Sequence, residues 1–536
     1  MMKTIVNLIC CLLYIETFAQ IRNPDEVYNT ACKWALAGKP DSAFKYLHVI
    51  VGRDYWKYTQ LSGDADLLSL HDDPRWQPML DKIRQAKIQP LHITRLYRDF
   101  DLMKSALEEA HTGLYWYNTK PAFDSICRLQ RGKIREGMNV LQFYQVVAPV
   151  VSFTKEGHTF LRLGGQAQAY MQFSGRYFPL QLKFLHRQPY IVNGVGKGGV
   201  LTKINGISME EIMQKFLSYE PADGYNVTSK YRWIERNGRF SAFYAYTYPM
   251  TDRFTIEVTD PVTGGRKIYR DIPAVSYDST RKAVTEIPAT LQIDSIAVLT
   301  FNTFSQSKYK ASGMDFRDFV KRSFGEMNRK QIRHLVIDIR KNGGGTEGYE
   351  DYLLSFLIDQ EYEKYSYVQA SAFRYSFYAN SDYKYDSADL EKMLQEEHTL
   401  QGDGRILRKA EVLVHEPPQE TPFRGDIYVL TSGLTYSGGA EFAALVKEHT
   451  SAVFVGEEVG GGFYGNTSGN RIVLKMPYSK LEVGIPLLKF VVSTKGMRVP
   501  FGHGVIPDYE VEADVQEYLN GEDVEMRMVR GMIRTR

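Results

Sequence analysis

Apolar residues recur at helical spacing through the first part of the chain. Val27 to Ala37 reads as an amphipathic helix that stops at Gly38-Lys39-Pro40. A second helix is expected from Asp41 through Leu47. Residues 91–151 are again helical in pattern, with an aromatic-rich break from His111 to Tyr117. Ser152 to Leu161 reads as a turn leading into a strand. Residues 177–271 are β-rich. From 273 to 511 strands and helices alternate. Ser295–Phe301, Leu335–Ile339, Ile427–Thr431 and Ala452–Gly456 are apolar runs of strand length, and Phe316–Asn328 has helical spacing. That rhythm predicts a sheet flanked by helices. Residues 361–422 are polar, tyrosine-rich and weakly periodic, the pattern of an insertion forming a lid or rim.

Composition narrows the class. The chain has 536 residues, 43% of them hydrophobic and 24% charged. It is expected to fold into several domains. A net charge of +3 argues against a large nucleic-acid footprint. Lys3, the apolar stretch Ile5–Ile15 and the candidate cleavage site Thr17-Phe18-Ala19 predict a signal peptide over 1–19. The stretch is too short to span a bilayer. The chain is therefore expected to be exported, to the periplasm or the exterior. Ile9 and Cys10 stand where a lipid-anchoring signal would place a small residue, so no lipid anchor is expected. Cleavage would leave Cys32 and Cys127, whose pairing the sequence does not decide. Neither C-x-x-C nor H-E-x-x-H spacing occurs, and no metal or organic cofactor is expected.

Two strand ends carry the chemistry. Leu335 to Ile339 runs into Arg340-Lys341-Asn342-Gly343-Gly344-Gly345. Leu430-Thr431 runs into Ser432-Gly433-Leu434-Thr435-Tyr436-Ser437-Gly438-Gly439, with helical composition from Glu441 onward. The first turn offers backbone N–H groups; the second sets a hydroxyl at the mouth of a helix. A serine at a strand-to-helix turn beside a glycine loop is the layout of a serine hydrolase. Ser437 would equally suit a helix N-cap, and the glycines a tight turn.

Several motifs stand in one order: Glu156-Gly157-His158-Thr159, Asn205-Gly206, Asp338-x-Arg340-x-Asn342-x-Gly344-Gly345, Thr435-x-Ser437-x-x-Ala440-Glu441, Gly456-Glu457-Glu458 and Gly504-Val505-x-Pro507-Asp508. Together they resemble the tail-specific (C-terminal-processing) serine proteases, in the branch that includes the tricorn protease core. The resemblance implies a multidomain α/β fold: a crotonase-like protease core, a PDZ-like β domain and an N-terminal helical region. The expected boundaries are a tetratricopeptide-like helical unit at 20–88, a helical part of the protease region at 89–165 and the PDZ-like domain at 175–272. The core would run 280–515 and a tail 516–536. The helical unit is either a partner-binding appendage or a packing cap.

The resemblance also assigns roles. Ser437 would be the nucleophile, and Gly438 and Gly344 the oxyanion hole. Apart from the resemblance, Gly343, Gly345, Asn466 and Ser468 are candidate substrate contacts, although Asn466 and Ser468 suit a polar surface turn equally well, and Asp338 and Arg340 are expected to pair and set the glycine loop. The bacterial branch takes its base from a lysine after Gly-Glu. Here Gly462 holds that place, and Lys475 is a poor substitute. His158 is then the expected base, with His503 in reserve and His111 a helix-end residue. In tricorn-like enzymes a serine precedes the histidine; Gly157 holds that position here. Glu458 is the expected third group, with Glu441 as the alternative. The implied activity is endopeptidase cleavage of proteins or peptides through an acyl-enzyme. A non-catalytic protein binding a peptide or apolar ligand on the same fold is the alternative. A crotonase-like acyl-CoA enzyme fits poorly with the export signal.

Overall fold

A computed structural model describes residues 23–51, 58–281, 286–413, 415–496 and 499–535. The expected signal peptide lies outside the described residues. The central sheet has strands in the order Tyr509–Glu510, Val453–Gly456, Asp426–Thr431, His334–Asp338, Ala297–Phe301 and Ala289–Ile293. All neighbours are parallel except the last pair, a hairpin. Strands buried on both faces read as unbroken apolar runs, which is why Leu335-Val336-Ile337 shows no alternation. The side chains still alternate. Leu335, Ile337 and Val429 enter the main core. Val336, Tyr428, Leu430 and Val455 face the other way, onto Val529.

Val529 belongs to a helix, Val524–Thr535, so the expected tail covers one face of the central sheet. Its start is tied to the glycine loop. Arg340 binds Asp338 at 2.7 Å, Asp523 at 2.8 Å and Glu525 at 3.1 Å.

A second, antiparallel sheet joins Phe160–Arg162, Glu482–Val492, Tyr365–Ala370, Ile406–Arg408 and His398–Leu400, with Gly465–Lys475 paired to Glu482–Val492. Residues 361–422 thus differ from the expected rim insertion. Tyr365, Val368 and Ala370 are buried while Ser366 is exposed, and the strand lies inside the sheet. Its polar and aromatic content hid a half-buried strand.

The third sheet is Leu182–Leu185, Gln188–Ile191, Val200–Ile204, Arg253–Thr259 and Arg266–Pro273. Asn205 (φ 50°) and Gly206 (φ 82°) make its tight turn, and the helix Met209–Tyr219 follows. Arg232 fixes this region to the core. Its guanidinium reaches Glu235 at 3.1 Å, Glu512 at 2.7 Å and also Glu457, with only 7% of the side chain exposed. Arg232→Met would leave three carboxylates facing one another. The expected cost is about 3–5 kcal/mol, read as a lower urea midpoint; an unchanged midpoint would remove this cluster from the stability of the fold.

The N-terminal helices Pro24–Leu36 and Pro40–Val51 build a separate apolar cluster. It is closed by Ala169, from the helix Gly165–Ser174. Cys32 and Cys127 are buried free thiols. No helix among the described residues is long and apolar enough to cross a membrane.

Candidate active site

The two small-residue turns dock on each other. Tyr436 N–H donates to the Asn342 carbonyl at 2.9 Å, and Thr435 Oγ1 donates to the Ile339 carbonyl at 2.8 Å. Ser437 sits between the strand Asp426–Thr431 and the helix Gly438–His449, at φ 53° and ψ −129°. An L-residue occupies that region only under strain, which clusters at functional sites. Ser437 is the N-cap residue of that helix, but its side chain makes no capping bond. The hydroxyl is thus free of the structural role that the sequence also allowed.

The glycine loop approaches Ser437 closely. A Cβ on Gly344 (φ 87°) would lie 2.6 Å from Gly438 N and 2.7 Å from Ser437 Cβ. Gly344→Ala should therefore displace the Ser437 turn, costing about 2 kcal/mol or more and impairing any labelling of that serine. Normal labelling with unchanged melting would refute this packing.

The Gly344 N–H differs from its expected role. Its positive φ turns it onto Asn342 Oδ1, 2.9 Å away. The N–H groups of Gly345 and Gly438 make no hydrogen bond among the described residues. Asn342 is buried and organises this loop, which the motif alone did not reveal.

His158 lies beside the Ser437 turn, its ring 4.8 Å from that of Tyr436. Its Nδ1 is 3.0 Å from Glu156 Oε1 and 3.1 Å from the Tyr436 hydroxyl. A carboxylate accepts, so Nδ1 carries the proton and Nε2 keeps the lone pair. Nε2 is buried with no partner. No hydrogen bond joins it to Ser437 Oγ; such contacts often tighten only with substrate bound.

Behind the histidine lies Asp223, from the loop after the helix Met209–Tyr219. Its Oδ1 accepts from the Tyr436 hydroxyl at 2.6 Å and from Gly157 N–H at 2.9 Å. Its Oδ2 accepts from Gly462 N–H at 3.0 Å. Glu156 Oε2 accepts from Thr467 N–H at 2.8 Å. A Cβ on Gly157 would lie 2.4 Å from the Tyr436 hydroxyl, so that hydroxyl fills the space a serine there would need.

Glu156, His158 and Asp223 are close enough to share a metal ion. Each carboxylate oxygen already accepts from an N–H or O–H, however, the wiring of a hydrogen-bond network. Burial and the neighbouring Glu156 push Asp223 up to about 8. Burial also raises Glu156 and depresses His158. The histidine is therefore neutral at neutral pH, the state a general base requires.

Residues 295–511, which hold both turns and five of the six strands of the central sheet, match peptidase family S41. The core of this chain belongs to peptidase family S41. Among solved structures, mature CPAF is similar at 14% identity, over 80% of this chain and 96% of that one, with a TM-score of 0.53. Mature CPAF complexed with lactacystin matches at 13% identity, over 83% and 99%, with a TM-score of 0.54. The photosystem II D1 C-terminal processing protease matches at 13%, over 78% and 93%, with a TM-score of 0.39. No curated sequence matches. The fold is thus that of the mature CPAF structures, and the family match of residues 295–511 supports a peptidase-type hydrolase.

The partners of the remaining expected residues are as follows in the structure. Glu458 does not serve His158. Its Oε1 binds His503 Nδ1 at 2.9 Å and Gly504 N–H at 3.2 Å, so the two form a pair of their own. Glu441 instead accepts from Asn466 Nδ2 at 2.9 Å and from the Tyr365 hydroxyl at 2.7 Å. Asn466 is accordingly buried in that network. Ser468 is half-buried, and Gly343 and Gly345 are exposed on the loop. His111 is buried against Thr159 Oγ1 at 2.8 Å, and burial pushes it down to about 4.

Sequence order missed Lys364, a buried lysine under the same helix start. It binds Glu350 at 2.6 Å and Asp351 at 2.7 Å, with Glu441 at 3.5 Å. Burial alone would depress its ammonium, but these carboxylates outweigh that and hold it charged. A cation so held is no general base.

Proposed function

We propose that this S41 chain is an exported serine endopeptidase with Ser437 as nucleophile and His158 as general base. The observation that carries the reading is the unpartnered Nε2 of a neutral histidine. Its Nδ1–H is fixed by Glu156, and its ring lies against the residue preceding a strained serine. Ser437 Oγ would attack the scissile carbonyl while Nε2 takes its proton. The oxyanion would form at the free N–H groups of Gly438 and Gly345; a Cβ on Gly438 would lie 3.7 Å from Gly345 N, close enough for two donors to converge. His158 would return the proton to the leaving amine, and water would then hydrolyse the ester. Glu156 replaces Glu458 as the orienting group in this scheme. It needs no cofactor. Export rests on the signal-like N-terminus, with a periplasmic or extracellular destination.

The test is fluorophosphonate labelling of the purified protein, mapped by mass spectrometry, with His158→Ala beside wild type. Label on Ser437 that disappears in the variant is the expected result. Label persisting in His158→Ala would dismiss this histidine as the base. The missing Ser437–His158 hydrogen bond favours a second reading, a peptide-binding protein without catalysis. Folded wild type that takes no label would support it.

A further inference from the structure

Two lysines near the site carry no counter-charge. Lys155, directly before Glu156, holds its Nζ 4.2 Å from the centre of the Tyr225 ring. Lys489 holds its Nζ 4.3 Å from the Trp116 ring. Neither makes an ion pair among the described residues. Burial depresses both ammonium groups, with no carboxylate offsetting it.

Between these lysines runs an aromatic ridge. Trp116 stacks on Tyr117 with ring centres 5.2 Å apart, and Tyr117 meets Tyr225 at 6.5 Å and Phe501 at 5.2 Å. Tyr225 is 49% exposed and Phe501 42%, Trp116 is half-buried, and Tyr117, which joins them, is buried beneath. The ridge lies alongside the site. The Tyr117 hydroxyl is 3.2 Å from where a Cβ on Gly462 would stand, and a Cβ on the adjacent Gly461 would lie 3.5 Å from Ser437 N. Lys489 pairs across the sheet with Thr467, whose N–H donates to Glu156.

A partly desolvated cation without a partner is costly, and an arriving carboxylate relieves that cost. A single such lysine would be an ordinary snorkelling side chain. A pair closing both ends of a partly exposed aromatic ridge beside Ser437 makes a matched feature. We propose that the ridge is the substrate-binding wall of the site and selects peptide segments with an apolar or aromatic centre flanked on both sides by Asp or Glu. A peptide has only one C-terminal carboxylate, so two cations require at least one acidic side chain. The ridge spans on the order of six extended residues. This inference rests on the peptidase reading of Ser437 and names its substrate class.

The test is binding to Ser437→Ala, which leaves the peptide intact. The probe is a fluorescein-labelled amidated peptide of about eight residues with Phe and Val at its centre and Asp at both flanks. It is compared with its Asn counterpart and with the Asn peptide bearing a free C-terminal carboxylate. The Asp peptide should bind at least about tenfold more tightly, with the margin shrinking as salt rises. Lys155→Met and Lys489→Met should each cancel the advantage of Asp at one flank, and Lys489→Arg should retain it; melting curves verify folding. Equal affinity for the Asp and Asn peptides overturns the proposal, as does a free-acid Asn peptide that matches the Asp one. Labelling of wild type is read separately. Absent label with charge-selective binding removes only the peptidase reading, whereas label on Ser437 with charge-blind binding removes only the ridge.

Discussion

Ser437→Ala should lower kcat/KM by on the order of 10⁶-fold while leaving the melting temperature unchanged. A nucleophile acting with its base as a unit carries most of the rate enhancement beyond oxyanion and binding terms. Nothing structural depends on the hydroxyl, because it makes no capping hydrogen bond. The backbone gives a sharper version of the experiment. At φ 53° and ψ −129° serine and alanine are equally strained, whereas glycine is not. Ser437→Gly should be equally inactive yet more stable than Ser437→Ala, by up to about 1–2 kcal/mol. Fluorogenic peptide hydrolysis and urea titration measure the two halves. Residual hydrolysis in either variant would dismiss Ser437 as the nucleophile. A less stable glycine variant would show that the turn is unstrained.

The readable parts of this site were those that share a short stretch of chain. The strand Leu335–Ile339 and its glycine turn are adjacent in sequence, as are Leu430-Thr431 and Ser437, so local pattern sufficed. Asp223 was invisible because it meets Tyr436 across a separation of 213 residues, and nothing near it marks a buried acid. Tyr436 stands within the small-residue turn before Ser437, where nothing in the sequence marks its hydroxyl. Its hydroxyl acts only because Gly157 leaves room for it. Glu458 followed from motif order, but a carboxylate binds whichever donor its strand end presents, and here that is His503. The Tyr365–Ala370 strand was concealed by composition, since polar and aromatic residues suit an antiparallel sheet as well as a loop. Parallel apolar strands declare themselves through their hydrophobicity; half-buried ones reveal themselves only through partners.

His158→Ala should cost about as much in kcat/KM as Ser437→Ala, on the order of 10⁶-fold, because the base and nucleophile act as a unit. Its pH profile provides the independent check. Burial depresses His158, so the acid limb of the wild-type profile should fall below the usual histidine value of about 6.5. The same shift costs stability as pH falls through that value, because the unfolded chain takes up a proton that the folded one resists. Asp223 has the opposite sign. Raised to about 8 from an ordinary 3.8, it binds its proton more tightly when folded, so its contribution to stability declines as pH rises from about 4 to about 8. Between about pH 7 and 8 the His158 contribution changes little, and the Asp223 decline should be visible there as a falling urea midpoint. Asp223→Asn keeps the shape but not the titration. It should lose about 1–3 kcal/mol by mispairing with the Gly157 and Gly462 amides and abolish the decline in that window. A variant that retains the wild-type slope would assign the titration elsewhere and separate Asp223 from the electrostatics of the histidine.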